Sequence, residues 1–101
     1  MSTTTKALAP VHPGEILVEE FLSPLGLSAY AAASQMKVPR TRIERLVAGK
    51  TPVTPDTALR LERLFGASAE FWMNLQTHYD LSVARAAAND DIAAIPRLSA
   101  P

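Results

Sequence analysis

Met36-Lys-Val-Pro-Arg-Thr-Arg-Ile-Glu-Arg-Leu-Val47 places three arginines at the start of a short amphipathic segment that follows a tight turn. Val38, Ile43, Leu46 and Val47 recur at helical spacing and can seat one face in a core, which leaves Arg40, Thr41, Arg42 and Arg45 on the other face. A helix that enters the major groove of DNA needs this division between a seated side and a reading side. A solvated helix with a charged face has the same pattern, so the surrounding sequence must separate the two readings.

Charge is the first discriminator. The chain of 101 residues has a net charge of zero, yet it is polarised. From Lys37 to Arg63 there are seven basic residues (Lys37, Arg40, Arg42, Arg45, Lys50, Arg60, Arg63) against three acids (Glu44, Asp56, Glu62), a balance of +4. The remainder carries three basic and seven acidic residues, a balance of −4. Binding to phosphate depends on a local positive face, because each Lys or Arg placed on a phosphate releases condensed counterions. The middle of the chain therefore suits DNA, and the acidic flanks are free for something else.

Helix punctuation surrounds the segment. Pro13 and Glu15 in His12-Pro13-Gly14-Glu15 are a first-turn proline and a first-turn acid. They open a helix carrying Ile16, Leu17, Phe21 and Leu25 inward, which stops near Gly26. Ser28 can cap an alanine-rich second helix through about Met36, and Ala31, Ala32 and Ala33 allow a third helix to cross it closely. Gly49 ends the arginine helix. Thr54-Pro55-Asp56 opens a fourth helix with Ala58, Leu61, Leu64 and Phe65 inward and Gly66 at its end, and Ser68 opens a long fifth helix to roughly Ala88. No strand-like alternation or internal repeat occurs, so the fold class expected is all-α with five helices.

Three stretches carry a family resemblance: His12-Pro13-Gly14-Glu15-Ile16-Leu17, Asp56-Thr57-Ala58-Leu59-Arg60-Leu61, and Glu70-Phe71-Trp72-Met73-Asn74-Leu75-Gln76 followed by Tyr79-Asp80-Leu81. In this order and spacing, over about Val11 to Ala84, the chain resembles the HigA-type (VapI-like) antitoxins of the Xre helix-turn-helix family. The resemblance implies a five-helix Xre/lambda-repressor-like DNA-binding domain with a long C-terminal helix over 11–88. It also implies a homodimer, a palindromic operator upstream of the toxin and antitoxin genes, and a HigB-type toxin partner like the RelE-type ribosome-dependent ribonucleases. Carried over residue by residue, base reading falls on Arg40, Thr41 and Arg45, and phosphate contact on Arg42 and Lys50. Arginine suits guanine O6 and N7, and threonine suits a base edge or a thymine methyl. The chain departs from the family pattern at Ala29, Lys37 and Ala48, where glutamine, glycine and asparagine are usual; Lys37 in the turn can compensate by reaching a phosphate. Glu44 can accept from a cytosine amino group or pair with Arg40 four residues earlier.

The fifth helix has a wider apolar face than one small core needs, through Phe71, Trp72, Leu75, Tyr79 and Val83. Trp72, Leu75, Tyr79 and Val83 are therefore expected at a dimer interface, which would set two recognition helices about 34 Å apart on a palindrome. Closure of the monomer core is the other role open to Phe71 and Trp72. Residues 1–10 read as a flexible leader. Residues 89–101 read as a tail in which Asn89 can cap a short helix bearing Ile92 and Ile95 before Pro96. Glu15, Glu19 and Glu20, with Asp90 and Asp91, offer an acidic face to a basic toxin.

Catalysis finds no support. His12 and His78 are the two histidines, no cysteine is present, and no metal-ligand pair, phosphate loop or activated serine motif occurs, so neither cofactor nor metal is expected. Without a signal-peptide run or a span of about 20 apolar residues, no membrane role is expected and a cytoplasmic location is, on the nucleoid if DNA is the ligand. Three functions stay open: an autoregulating antitoxin, a free-standing Xre-type repressor without a toxin, and an interaction protein that has lost DNA binding. Seven bases in the middle segment weigh against the last.

Overall fold

Four of the helices start where His12, Ser28, Thr54 and Ser68 supply a side-chain acceptor for the first free N–H groups, whereas the arginine helix starts at Pro39 without one. The computed structural model describes residues 10–88 and 90–99, which are helical or irregular throughout. The leader expected over 1–10 thus lies outside the described residues except for Pro10, as does Asn89.

Helix α1 (Pro13–Leu25) begins at His12, whose Nδ1 accepts the Gly14 N–H at 2.9 Å, with Pro13 in the first turn where no amide donor is needed. Its middle, Leu17–Leu22, is a π-helix in which the Ser23 N–H reaches back to the Val18 carbonyl. That i→i+5 pattern brings residues five apart into line. Leu17 and Leu22 are accordingly both buried, at 0% and 4% exposure, while Leu25 is 66% exposed. Continuous α-helical counting puts Leu25 inward with Leu17 and Phe21; the extra residue in the π turn rotates it out and Leu22 in.

Helix α2 (Ala29–Met36) is capped by Ser28 Oγ, which accepts the Ala31 N–H at 3.0 Å, and bends 92° from α1. Ala32 and Ala33 are fully buried and have no side chain beyond Cβ, so α3 (Arg40–Val47) packs tightly across α2. Lys37 holds the turn between them at φ 60, ψ 44. The left-handed region costs a residue with a Cβ about 1 kcal/mol. It is fixed here by N–H donation from Lys37 to Ser34 O and from Val38 to Ala33 O, both 3.1 Å.

Helix α4 (Pro55–Phe65) is capped by Thr54 and ended by Gly66 at φ 91; α5 (Ala69–Ala87) is capped by Ser68, which accepts the Phe71 N–H at 3.0 Å; α6 (Asp90–Ala93) is the short tail helix. The core is formed by Leu17, Ala32, Ile43, Leu46, Ala58, Leu61 and Trp72. Trp72 is 0% exposed, with the Phe21 and Phe71 rings each 5.1 Å away. Its assignment to a dimer surface is therefore corrected: the ring closes the core of one chain and has no surface left for a second. Its indole N–H has no partner among the described residues, so packing alone accounts for its burial. From Leu81 onward α5 leaves the body, nearly every residue being exposed, and the chain extends 52 × 37 × 23 Å.

Candidate nucleic-acid interface

Ile43 and Leu46, at 0% and 2% exposure, seat α3 in the core, and Arg40, Thr41, Arg42, Glu44 and Arg45 are exposed on its other side. The seat is close. A Cβ on Gly14 would lie 2.0 Å from the Leu46 carbonyl oxygen, so the start of α1 rests directly on the backbone of the arginine helix. Only a residue without a side chain allows that approach.

The exposed side chains divide by partner. Arg40 lies 4.0 Å from Glu44 one turn on and over the Tyr30 ring at 5.7 Å, so the pairing open to Glu44 in the sequence is the one seen. Arg42 donates through Nη1 to Asp56 Oδ2, which also accepts from Arg60 Nε at 2.9 Å. Hydrogen bonding to Arg42 first, and to Arg60 second, holds the Asp56 carboxyl below its usual pKa. Arg45 and Lys50 have no side-chain partner among the described residues.

Thr41, Arg42 and Arg45 line one groove of about 450 Å³ with Thr51, Thr54 and Asp56. Thr41, Arg45 and Lys50 line a second of about 190 Å³ with Glu44 and Ala48. Four of the six expected DNA-binding residues thus share one continuous surface. Lys37 lines a different cavity, with Gln35, Arg60, Arg63 and Leu64. Glu15, Glu19 and Glu20 are exposed on α1 and line none of these grooves. Of the expected dimer residues besides Trp72, Leu75 and Tyr79 are half-buried and Val83 is 41% exposed.

Two positioning groups went unread in the sequence. Gln76 is buried on α5; its Oε1 accepts the Val53 N–H at 2.7 Å and its Nε2 donates to Asp80 Oδ1 at 2.9 Å. This ties down the loop after α3 that carries Lys50, next to the edge-on contact of His12 and Tyr79 at 4.9 Å. A polar residue four positions after Trp72, within an apolar line, was the available signal. The second group is the Asp56–Arg60 pair, visible in sequence as an i,i+4 spacing.

The helix-turn-helix family matches residues 18–72, from α1 to Trp72. Virulence-associated protein I of Dichelobacter nodosus is 53% identical over 74 residues, 73% of this chain and 68% of that protein. Antitoxin HigA-1 of Vibrio cholerae is 39% identical over 72 residues, 71% of this chain and 68% of that one. Pseudomonas aeruginosa antitoxin HigA, in a structure with the higBA promoter, superimposes with a TM-score of 0.86 at 41% identity, over 90% of this chain and 100% of that chain. The chain belongs to the HigA-type, VapI-like antitoxins of the Xre helix-turn-helix family.

Proposed function

We propose that this protein is an autoregulating antitoxin, which binds a palindromic operator as a homodimer, represses its own operon and neutralises a RelE-like ribonuclease of the HigB type. The observation that carries DNA binding is the presentation of α3: an apolar side fully seated in the core, and Thr41, Arg42, Arg45 and Lys50 together on the outer surface. A HigA antitoxin with the same fold was solved with promoter DNA, which supports the same use of the helix here. Arg40, Thr41 and Arg45 read base edges, and Arg42, Lys50 and Lys37 bind phosphate. The protein acts in the cytoplasm on nucleoid DNA, as an antitoxin and not as an enzyme.

Dimerisation uses the projecting half of α5. Val83 and Leu81 are large apolar side chains exposed there at 41% and 45%, with Tyr79 and Leu75 at the adjoining edge. Val83→Glu would put an unpaired charge into such an interface at a cost of about 3 kcal/mol or more, about 100-fold in the dimer dissociation constant. Sedimentation is expected to find a monomer whose circular dichroism matches the parent. A mutant that stays dimeric would move the interface off this part of α5.

The toxin, a basic ribonuclease, docks on the acids of α1. Glu15, Glu19 and Glu20 are all exposed and lie away from the α3 grooves, so one protomer can hold toxin and DNA at once. Reversing all three to lysine is expected to abolish co-purification with the toxin, and rescue of growth in cells expressing it, while leaving operator binding intact. Undiminished rescue would place the toxin elsewhere. If the gene beside this one encodes no toxin for wild-type protein to rescue, the free-standing repressor is the correct reading.

A further inference from the structure

Asp56 puts a carboxylate on the surface where DNA phosphates are expected. It lines the same groove as Thr41, Arg42 and Arg45, and by charge alone it opposes any duplex that approaches there. Its Oδ2 takes two arginines, Arg42 Nη1 at 2.5 Å and Arg60 Nε at 2.9 Å. Arg60 is anchored a second time, through Nη1 to the Met36 carbonyl at 2.8 Å. The carboxylate is therefore mounted on α4 by Arg60, and Arg42 is the cation that it takes from the α3 surface.

A guanidinium offers the same donor fork to a carboxylate and to a phosphate. The side chains of Arg42, Asp56 and Arg60 are 41%, 55% and 40% exposed, so the Arg42–Asp56 pair is in water and weak enough to exchange. We propose that Asp56 is an intramolecular competitor of DNA phosphate for Arg42, which lowers the affinity of the protein for every duplex. The proposal rests on the DNA-binding reading of α3. To bind, Arg42 exchanges one oxyanion for another and gains little, whereas Arg45 and Lys50 arrive without a side-chain partner among the described residues. The consequence is a lower background on the many non-specific sites of a genome, which compete with any operator.

The same bond read as a strut between α3 and α4 makes the opposite prediction, since breaking it would then loosen the reading helix and weaken binding. Fluorescence anisotropy with the full chain separates the two. Two duplexes of equal length are titrated in about 0.1 M salt: one from the DNA upstream of the protein's own gene, one scrambled. Asp56→Asn is expected to tighten binding to both by about two- to fivefold, the range of an exposed ion pair. Arg42→Ala is expected to weaken both, and Asp56→Asn added to Arg42→Ala to gain clearly less than Asp56→Asn gains in the parent. Asp56→Ser, which keeps a polar residue in the first turn, should show the same gain should the asparagine variant fail to fold.

Weaker or unchanged binding by folded Asp56 variants, with the wild type binding, would overturn the competitor role. So would a gain that persists undiminished without Arg42, because Asp56 would then act only by its net charge. A wild-type protein with no affinity for either duplex would remove the DNA-binding reading itself, and the competitor with it.

Discussion

Alanine at Arg45 is expected to weaken binding to the operator by about 1 to 3 kcal/mol, a factor of about 5 to 150, while affinity for scrambled DNA of the same length falls far less. Arg45 borders both grooves of the α3 surface and has no side-chain partner among the described residues, so its guanidinium is free to take guanine O6 and N7. Arg40→Ala is expected to act in the same direction with a smaller effect, since Glu44 and the Tyr30 ring already engage that side chain. Lys50→Ala is the contrasting case. A phosphate contact carries no sequence information, so its loss should weaken all duplexes alike and reduce the slope of log K against log salt by about 0.9. Gel-shift titrations on matched and scrambled DNA read all three. Parental operator affinity in both arginine mutants would remove α3 as the reading helix.

Gly14→Ala is expected to destabilise the fold by about 1 to 3 kcal/mol, lowering Tm by about 4 to 20 °C. The sign is diagnostic. Alanine inside a helix is ordinarily worth about 0.5 to 1 kcal/mol more than glycine, but here the added methyl would stand 2.0 Å from the Leu46 carbonyl oxygen. That oxygen is backbone and cannot swing away, so α1 must lift from α3. Because Leu46 belongs to the arginine helix, operator affinity should fall along with Tm. Thermal denaturation followed by circular dichroism measures the first effect, and an unchanged or higher Tm would mean that α1 and α3 do not touch there.

Local chemistry was the part of the fold open to sequence reading. Ser28, Thr54 and Ser68 each accept an amide hydrogen at the helix start where residue type and spacing put them, and Gly26, Gly49 and Gly66 adopt left-handed conformations at helix ends. The cap by His12 Nδ1 has no such mark, because histidine is not a preferred capping residue. The seating of Ile43 and Leu46 followed from period alone. The π turn in α1 did not, because its i→i+5 bonds leave no mark in propensity, and an α-helical count then carries Leu25 to the wrong side. Contacts between distant segments were equally hidden. The Arg42–Asp56 pair spans 14 residues and the Gln76–Val53 bond 23, and no local pattern announces either. Trp72 shows a different limit: a broad apolar face reveals that a residue is covered, but not whether the same chain or another covers it.

The most direct measurement is the affinity of the unmodified protein for the DNA immediately upstream of its own gene, against a scrambled duplex of equal length at physiological salt. A specific repressor should prefer its operator by about 10³-fold or more, with two protomers on each palindromic site. Equal affinity for the two duplexes at that salt would contradict operator reading by α3, whatever the similarity of the fold.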